Sequence, residues 1–370
     1  MVGSGPACDD PLIVAAPTYD LPTSAIAQHP VEPRDAARLL VDRGTDLPPE
    51  HRHVRDLPSL VQPGDVLVLN DSKVLPARLR LTKATGGAVE VLLLEERDDH
   101  WEALVRPGRR VPPGTRLVAG PDLTVEVGEA VPGGDDSGIR AVRLVTDDPV
   151  GALARHGVIP LPHYIHETLA DPDRYQTVYA RNPGSVAAPT AGLHVTEDVL
   201  ARCRAAGAEI VTVDLAVGMG TFRPVTAERI EDHGMHEERY VVPASTLAAC
   251  RHAERVVAIG TTSVRALETA AITGELSGRT RLLIAGDHPW QLVDALLTNF
   301  HQPASTLLCL VESFIGARWR DLYALALAEG YRFLSFGDAM FIERQPGSIE
   351  RQPGFIERQP GSTERPRGSR

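Results

Sequence analysis

The chain has 370 residues, 43% hydrophobic and 24% charged, with a formal net charge of −11: enough chain to bury a full core in two domains, and too acidic for general nucleic-acid affinity. No apolar run is long enough for a bilayer-spanning helix. The four cysteines (Cys8, Cys203, Cys250, Cys309) lie far apart, without the CxxC spacing of a zinc ribbon, an iron–sulfur site or a redox dithiol.

The N-terminus carries two aspartates before a short apolar patch and no basic stretch. It does not read as a secretory signal, so a cytoplasmic protein is expected. Residues 17–60 read as a strand followed by helices, with a helix start at Pro33–Arg34–Asp35 leading into AARLLV. From Val61 to Asp148 come seven short β-rich runs: DVLVLN, ARLRLTKA, AVEVLLLEE, HWEALVRP, RLVAG, LTVEVGEA and IRAVRLVT. Gly, Pro and Asp breaks at close spacing predict a small barrel or sandwich here. VGALARHG then reads as a helix, and TEDVLARCRAAG as a second one, capped by Thr196 and ended by Gly207. AEIVTVDLAVG, VVAIG and RLLIAG read as strands, with TTSVRALETAAITG a helix between the last two. Such alternation makes a parallel sheet. The expected fold is therefore an α/β domain with a mainly parallel sheet (residues 17–60 and 149–342), interrupted by an inserted small β-barrel domain (61–148). In the tail, 343–370, glutamate recurs at 343, 350, 357 and 364 within IERQPG-like units. Proline and glycine in these units rule out a coiled coil, and disorder is expected.

Two basic stretches interrupt the acidic balance. One holds Lys73, Arg78, Arg80 and Lys83, the chain's only lysines among them, and the other Arg106, Arg109, Arg110 and Arg116. Such stretches can hold a phosphate backbone or guard edge strands. In an open α/β sheet, ligands collect where strands end and helix N-termini offer free amides. GTTSVR puts Thr261, Thr262 and Ser263 at such a turn with Arg265 just inside, suiting an anion or an ordinary helix start. AVGMGTF sets Gly218, Gly220 and Thr221 in a turn that lacks the third glycine of a dinucleotide fingerprint. DHGMHEE brings His233, His236 and Glu237 close together. These are too few ligands for a metal, and proton transfer or hydrogen bonding is the better functional reading. Asn299 and His301 in LLTNFHQPASTLL, and Asp338 in YRFLSFGDAM, follow further apolar strands. SVAAPTAGLHVT, residues 185–196, crowds small residues around Thr190 and His194, as close backbone approach to a ligand requires. Each loop taken singly is an ordinary turn. Together they read as one cleft.

NDSKVLPARL, RYQTVYA, GSVAAPTAGLHVT, VGMGTFRPV, IEDHGMHEERY, GTTSVRALE, LLTNFHQPASTLLCLV and EGYRFLSFGDAMFI occur in that order between Tyr19 and Ile342. They closely resemble the S-adenosylmethionine:tRNA ribosyltransferase-isomerase family of queuosine biosynthesis. The resemblance implies an enzyme that moves and isomerises the ribosyl group of S-adenosylmethionine onto 7-aminomethyl-7-deazaguanine at the tRNA wobble position. Epoxyqueuosine-tRNA, adenine and methionine would be the products. It also implies an α/β domain with an inserted β-barrel, S-adenosylmethionine as co-substrate, no prosthetic group, no metal and no membrane, and a monomer is expected.

On that resemblance, His194, His233, His236 and Asp338 are the candidates for proton transfer. Thr190, Thr221, Thr261, Thr262 and Ser263 would hold sugar hydroxyls or the methionine carboxylate, with Gly218, Gly220, Arg265, Asn299 and His301 completing the substrate site. Lys73, Arg78, Arg106 and Arg109 would hold RNA phosphates. The chain departs from the family pattern at Ala216, where a histidine is usual, and at AGDH (285–288), Gln302 and Glu312. His288 is a candidate to stand in for the missing ring. The departures keep two other readings open: a paralogue acting on a free deazapurine or nucleoside, and a non-catalytic RNA-binding homologue.

Overall fold

A computed structural model describes residues 16–44, 47–97, 99–131, 138–218, 229–230, 234–235 and 237–344. The strand Asp65–Asn70, DVLVLN, is buried at every position. An unbroken apolar run of this kind belongs in a sheet covered on both faces. Glu209–Leu215 and Arg255–Ile259 pair with it in parallel on either side, and Ala295–Asn299 adds a fourth parallel strand. They form the centre of a nine-stranded sheet. Glu238–Val241 and Ser277–Thr280 extend one margin antiparallel. On the other side Ala339–Glu343 runs antiparallel to Ala295–Asn299, Arg38–Asp42 parallel to that strand, and Glu50–His53 closes the edge. The expected α/β sheet is thus parallel through its centre and antiparallel at its margins.

The two-residue period sorts the central side chains between two cores. Val66, Val68, Val256 and Ala258 point into one, with Val264, Leu267, Leu308 and Val311 from the helices Thr261–Thr273 and Thr306–Ile315. Leu67, Leu69, Val257 and Ile259 point into the other, against Val199, Leu200 and Cys203 of the helix Glu197–Ala205. That helix begins as expected, with the Thr196 hydroxyl accepting from the Val199 amide at 3.2 Å.

Six of the seven β-rich runs close into a barrel. Its order is Arg78–Lys83, Ala88–Glu96, Trp101–Arg106, Ile139–Val145, Leu123–Ala130, Arg116–Gly120, and back to Arg78–Lys83. The interior is filled by alternate residues such as Leu79, Leu81, Val91, Val105 and Val125, and the helix Pro149–His156 adds Ala152 and Leu153. The seventh run, DVLVLN, lies in the large sheet, so the barrel strands span 78–145 within the 61–148 block. Barrel and helix are inserted between two neighbouring strands of the large sheet, Asp65–Asn70 and Glu209–Leu215.

Three local expectations change. AARLLV is not helical: a 3-10 turn at Arg34–Ala36 leads into the strand Arg38–Asp42, whose Leu39, Leu40 and Val41 are buried between two paired neighbours. RLLIAG is not a strand. The edge strand is Ser277–Thr280, and its pairing stops where Thr280 meets Glu238, the first residue of its partner. Glu343, the first glutamate of the repeat, ends a sheet strand and bonds Arg255 at 2.6 Å. The fold therefore reaches into the expected tail, while residues 345–370 lie outside the described residues.

Candidate active site

At the carboxyl ends of Arg255–Ile259 and Ala295–Asn299, two small adjoining hollows of about 30 Å³ each share Thr190, Asn299, His301 and Leu307. One extends to Tyr164, Ser305 and Ser335. The other is walled by residues 188–191, Val217 and residues 260–262. The small-residue stretch is therefore cleft wall on one side and packed core on the other. Val186 and Leu193 are buried, and a Cβ on Gly192 would collide with the Tyr179 hydroxyl.

A short relay crosses the shared wall. The Thr190 hydroxyl donates to Asn299 Oδ1 at 2.7 Å, and Asn299 Nδ2 lies 3.1 Å from His194 Nε2. An amide nitrogen can only donate, so Nε2 is the acceptor and His194 is a neutral imidazole. Burial pushes its pKa down to about 3, and the cations Arg332, Arg174 and Arg34 add to the shift. With Nε2 occupied, His194 orients Asn299. Thr190 has given its proton to Asn299, so its oxygen presents lone pairs to the hollows and suits a substrate hydroxyl. His301 is held just as firmly. Its backbone N–H donates to Tyr323 Oη at 3.0 Å, its carbonyl accepts from Tyr19 at 2.6 Å, and its Nε2 is 2.8 Å from Thr298 Oγ1. Burial alone pushes its pKa down to about 3, so at neutral pH this ring also is uncharged.

The second hollow ends on the N-terminus of Thr261–Thr273. Gly260 precedes it at φ +89°, a conformation that favours glycine, and no side chain caps the helix. Thr262 Oγ1 is buried and unpartnered at this place. Free amides, the helix dipole and a spare hydroxyl together suit an anionic group. The Ser263 hydroxyl does not take part, since it bonds the Ile259 carbonyl at 2.8 Å, and only the Ser263 amide remains for a ligand. Arg265 is also committed: it forms a buried ion pair with Glu238, whose other oxygen accepts from the Gly218 amide at 3.1 Å.

Beyond Val217 the cleft opens into a groove of about 1130 Å³ between the barrel and the sheet margin. Arg97 bonds Glu95 at 2.9 Å and Glu102 at 2.8 Å on the barrel side, and Arg279 of the sheet bonds Glu95 across the gap. Ala216 and Gly218 line this groove.

The Asp338 carboxylate accepts from the amides of Arg38 at 2.9 Å and Arg332 at 2.8 Å, so it ties two loops together; only its carbonyl, 3.4 Å from Asn299 Nδ2, reaches the relay. His233, His236, Gly220 and Thr221 lie outside the described residues. Lys73, Arg106 and Arg109 are exposed and Arg78 is half-buried, away from the shared wall of the hollows. His288 lines none of these spaces. Its ring packs on Trp290, with Nε2 3.7 Å from the buried Glu268 carboxylate, so it does not replace the ring absent at Ala216. Among the described residues no group of three or more His, Cys, Asp or Glu side chains could hold a metal.

A family model described as queuosine biosynthesis protein matches residues 14–342, which include the barrel, both hollows and the groove. The chain belongs to this family. The S-adenosylmethionine:tRNA ribosyltransferase-isomerase of Rubrobacter xylanophilus is 52% identical over 88% of this chain and 96% of its own length. The protein of the same name from Thermus thermophilus is 50% identical over 88% of this chain and 97% of its own. Among solved structures, that of S-adenosylmethionine tRNA ribosyltransferase from Thermotoga maritima is similar. Its identity is 36% and its TM-score 0.50, over 88% of this chain and 99% of the other.

Within this queuosine-family cleft, sequence reasoning passed over Thr298, Tyr164 and Tyr19, and it named no role for Ser335. Tyr164 Oη and Ser335 Oγ are 2.7 Å apart and line the first hollow. Thr298 and Ser335 stand in quoted motifs, next to Asn299 and within FLSFGDAM, so position in those motifs was the available signal. Tyr19 and Tyr164 lie in loops with no periodicity, and only the closed fold brings them to the site.

Proposed function

We propose that the two hollows and the groove are the donor and acceptor halves of one site. In it, the ribosyl group of S-adenosylmethionine is transferred and isomerised onto 7-aminomethyl-7-deazaguanine at a tRNA wobble position. The observation that carries the reading is the set of relatives at about half identity over nearly their whole length, named S-adenosylmethionine:tRNA ribosyltransferase-isomerase. The chain works as a monomer in the cytoplasm and needs no prosthetic group. Among the described residues, no helix is long and apolar enough to cross a membrane.

S-adenosylmethionine occupies the hollows. Its carboxylate sits at the free amides of residues 261–263 and on Thr262 Oγ1. Its ribose hydroxyls give protons to Thr190 Oγ1, which Asn299 and His194 hold in place. The sulfonium acidifies the adjacent 5′ carbon, so the reaction begins with removal of a proton there and ends with loss of adenine and methionine. His301, neutral and common to both hollows, is placed to exchange a proton with the departing base. The Arg80 and Arg106 side chains flank Glu90 in one cross-strand row on the barrel. With Lys73, Arg78 and Arg109 they meet RNA phosphates, while the groove takes the wobble base.

The test is adenine release from S-adenosylmethionine, followed by mass spectrometry with and without tRNA carrying the aminomethyl base. Release that requires this tRNA and adds mass to it is the expected result. Release that follows the free base alone, or none at all with the donor bound, overturns the reading.

A further inference from the structure

At the floor of the groove, Asp214 is only 7% exposed. Arg239 Nη1 holds one carboxylate oxygen at 3.0 Å, and the other oxygen, Oδ1, is buried with no hydrogen-bond partner. Asp71 lies beside it and adds negative charge, its own Oδ1 being taken by Asn182 Nδ2 at 2.8 Å. A buried carboxylate with one oxygen unsatisfied, next to a second carboxylate, is costly unless another donor arrives. Burial, more than Asp71, pushes its carboxyl upward, and Arg239 opposes this. Arg239 itself is 44% exposed at its side chain, so it can yield toward solvent. Gly184, which also lines the groove, sits against the guanidinium without a side chain to crowd it: a Cβ there would lie 3.3 Å from Arg239 Nη2.

We infer that Asp214 is the specificity-determining residue for the acceptor, its free oxygen receiving the primary ammonium on the aminomethyl arm of the wobble base. This rests on the proposed function. A primary ammonium offers three donors on one small centre and enters while Arg239 shifts aside, so the carboxylate never stands without a cation. S-adenosylmethionine carries a primary ammonium too. Position decides for the acceptor, because Asp214 lines the wide groove and neither of the small hollows where the donor sits.

The experiment compares binding of two tRNAs, one with the aminomethyl wobble base and one with the isosteric, neutral hydroxymethyl base. It uses wild-type protein, Asp214→Asn and Arg239→Gln, with S-adenosylmethionine affinity and thermal midpoint measured on each. Wild type is expected to prefer the amine by on the order of 10- to 100-fold, the scale of a hydrogen bond to a charged group. Asp214→Asn brings the two tRNAs within about threefold while donor affinity stays unchanged, and Arg239→Gln keeps the preference. The inference is overturned by a wild type that binds both tRNAs equally, which needs no variant. It is equally overturned if Asp214→Asn keeps the preference, if that variant loses donor affinity instead, or if Arg239→Gln alone abolishes the preference. Wild type that prefers the amine yet releases no adenine strikes the proposed function and leaves the ammonium contact standing.

Discussion

Replacing Thr190 with valine removes one hydroxyl and almost no volume. That hydroxyl spans two tasks: it donates to Asn299 Oδ1 at 2.7 Å and faces both hollows. For the fold the loss is small. Asn299 keeps its bond to His194 at 3.1 Å, and a water in the adjoining hollow can serve Oδ1 in place of the hydroxyl. The net value of one neutral hydrogen bond is about 1 kcal/mol, which bounds the stability change. For the donor the same arithmetic acts without relief. A ribose hydroxyl that met Thr190 Oγ1 now meets a methyl group, and about 1 kcal/mol is a factor of roughly five in affinity. Thr190→Val should therefore weaken S-adenosylmethionine about fivefold, read by titration calorimetry, and shift the thermal midpoint by no more than a few degrees.

Asn299→Ala supplies the contrast. It leaves buried His194 Nε2 without its donor, which costs about 1–3 kcal/mol of stability, and it frees the Thr190 hydroxyl to turn away. Because both changes act through one oxygen, their effects on donor affinity should not add: the double variant should fall well short of the product of the single effects. Unchanged donor affinity in Thr190→Val, or fully additive effects in the cycle, would refute a relay that presents Thr190 to the ribose.

Further outcomes follow from the same geometry. His194 and His301 are held at pKa values of about 3 when folded, against about 6.5 when unfolded. The unfolded chain therefore binds more protons between those values, and stability present above pH 6.5 is lost as pH falls. At pH 5 each ring costs about 2 kcal/mol relative to pH 7.5, which urea unfolding at the two pH values measures; His301→Gln should remove about half of that slope. Arg265→Met strips the cation from the buried Glu238 pair and should destabilise by about 3 kcal/mol in the same assay. Arg106→Ala and Arg109→Ala should each weaken tRNA binding irrespective of the wobble base and make its salt dependence shallower by about one ion. Gly192→Ala, which meets the Tyr179 hydroxyl, should lower the thermal midpoint by an amount equivalent to about 1–3 kcal/mol.

The parts of the fold legible in the sequence were those whose signal is local. Thr196 before two acids and an apolar period marks a helix by capping chemistry, and tight turns between short alternating runs mark the barrel strands. DVLVLN was misplaced because its neighbours in sequence are barrel strands, while its partners in space arrive some 140 and 190 residues later. Its lack of alternation was the available clue, since a barrel strand shows one face to water and a central parallel strand shows none. AARLLV failed for the opposite reason. Its propensities allow a helix, and only pairing with Ala339–Glu343 and Glu50–His53 decides for a strand. In the cleft, the motifs containing Thr190, Asn299 and His301 lead to loops that the fold brings to the shared wall of the two hollows, but the hydrogen bonds within them have no signature in spacing. Asp338 looked like a spare acid until its two backbone amides were seen, and Asp214 looked like a strand residue until its neighbours were.

The insertion point gives these placements a common cause. The barrel leaves the large sheet after Asp65–Asn70, and the chain returns to the adjacent strand, Glu209–Leu215. The exit lies at the carboxyl end of Asp65–Asn70, where ligands of parallel sheets collect. On the way back, residues 182–185 pair with Ser72–Val74 at that same end before the chain crosses to start Glu209–Leu215. Residues 182–184 on the return path line the groove together with Asp214 and Ala216. The same splice thus sets the barrel's wall opposite the sheet margin and leaves between them a space far larger than either hollow. A small donor can be enclosed by loops of the sheet alone. On the proposed function, a base carried on a folded RNA needs a second wall, and the inserted barrel stands where it would supply one.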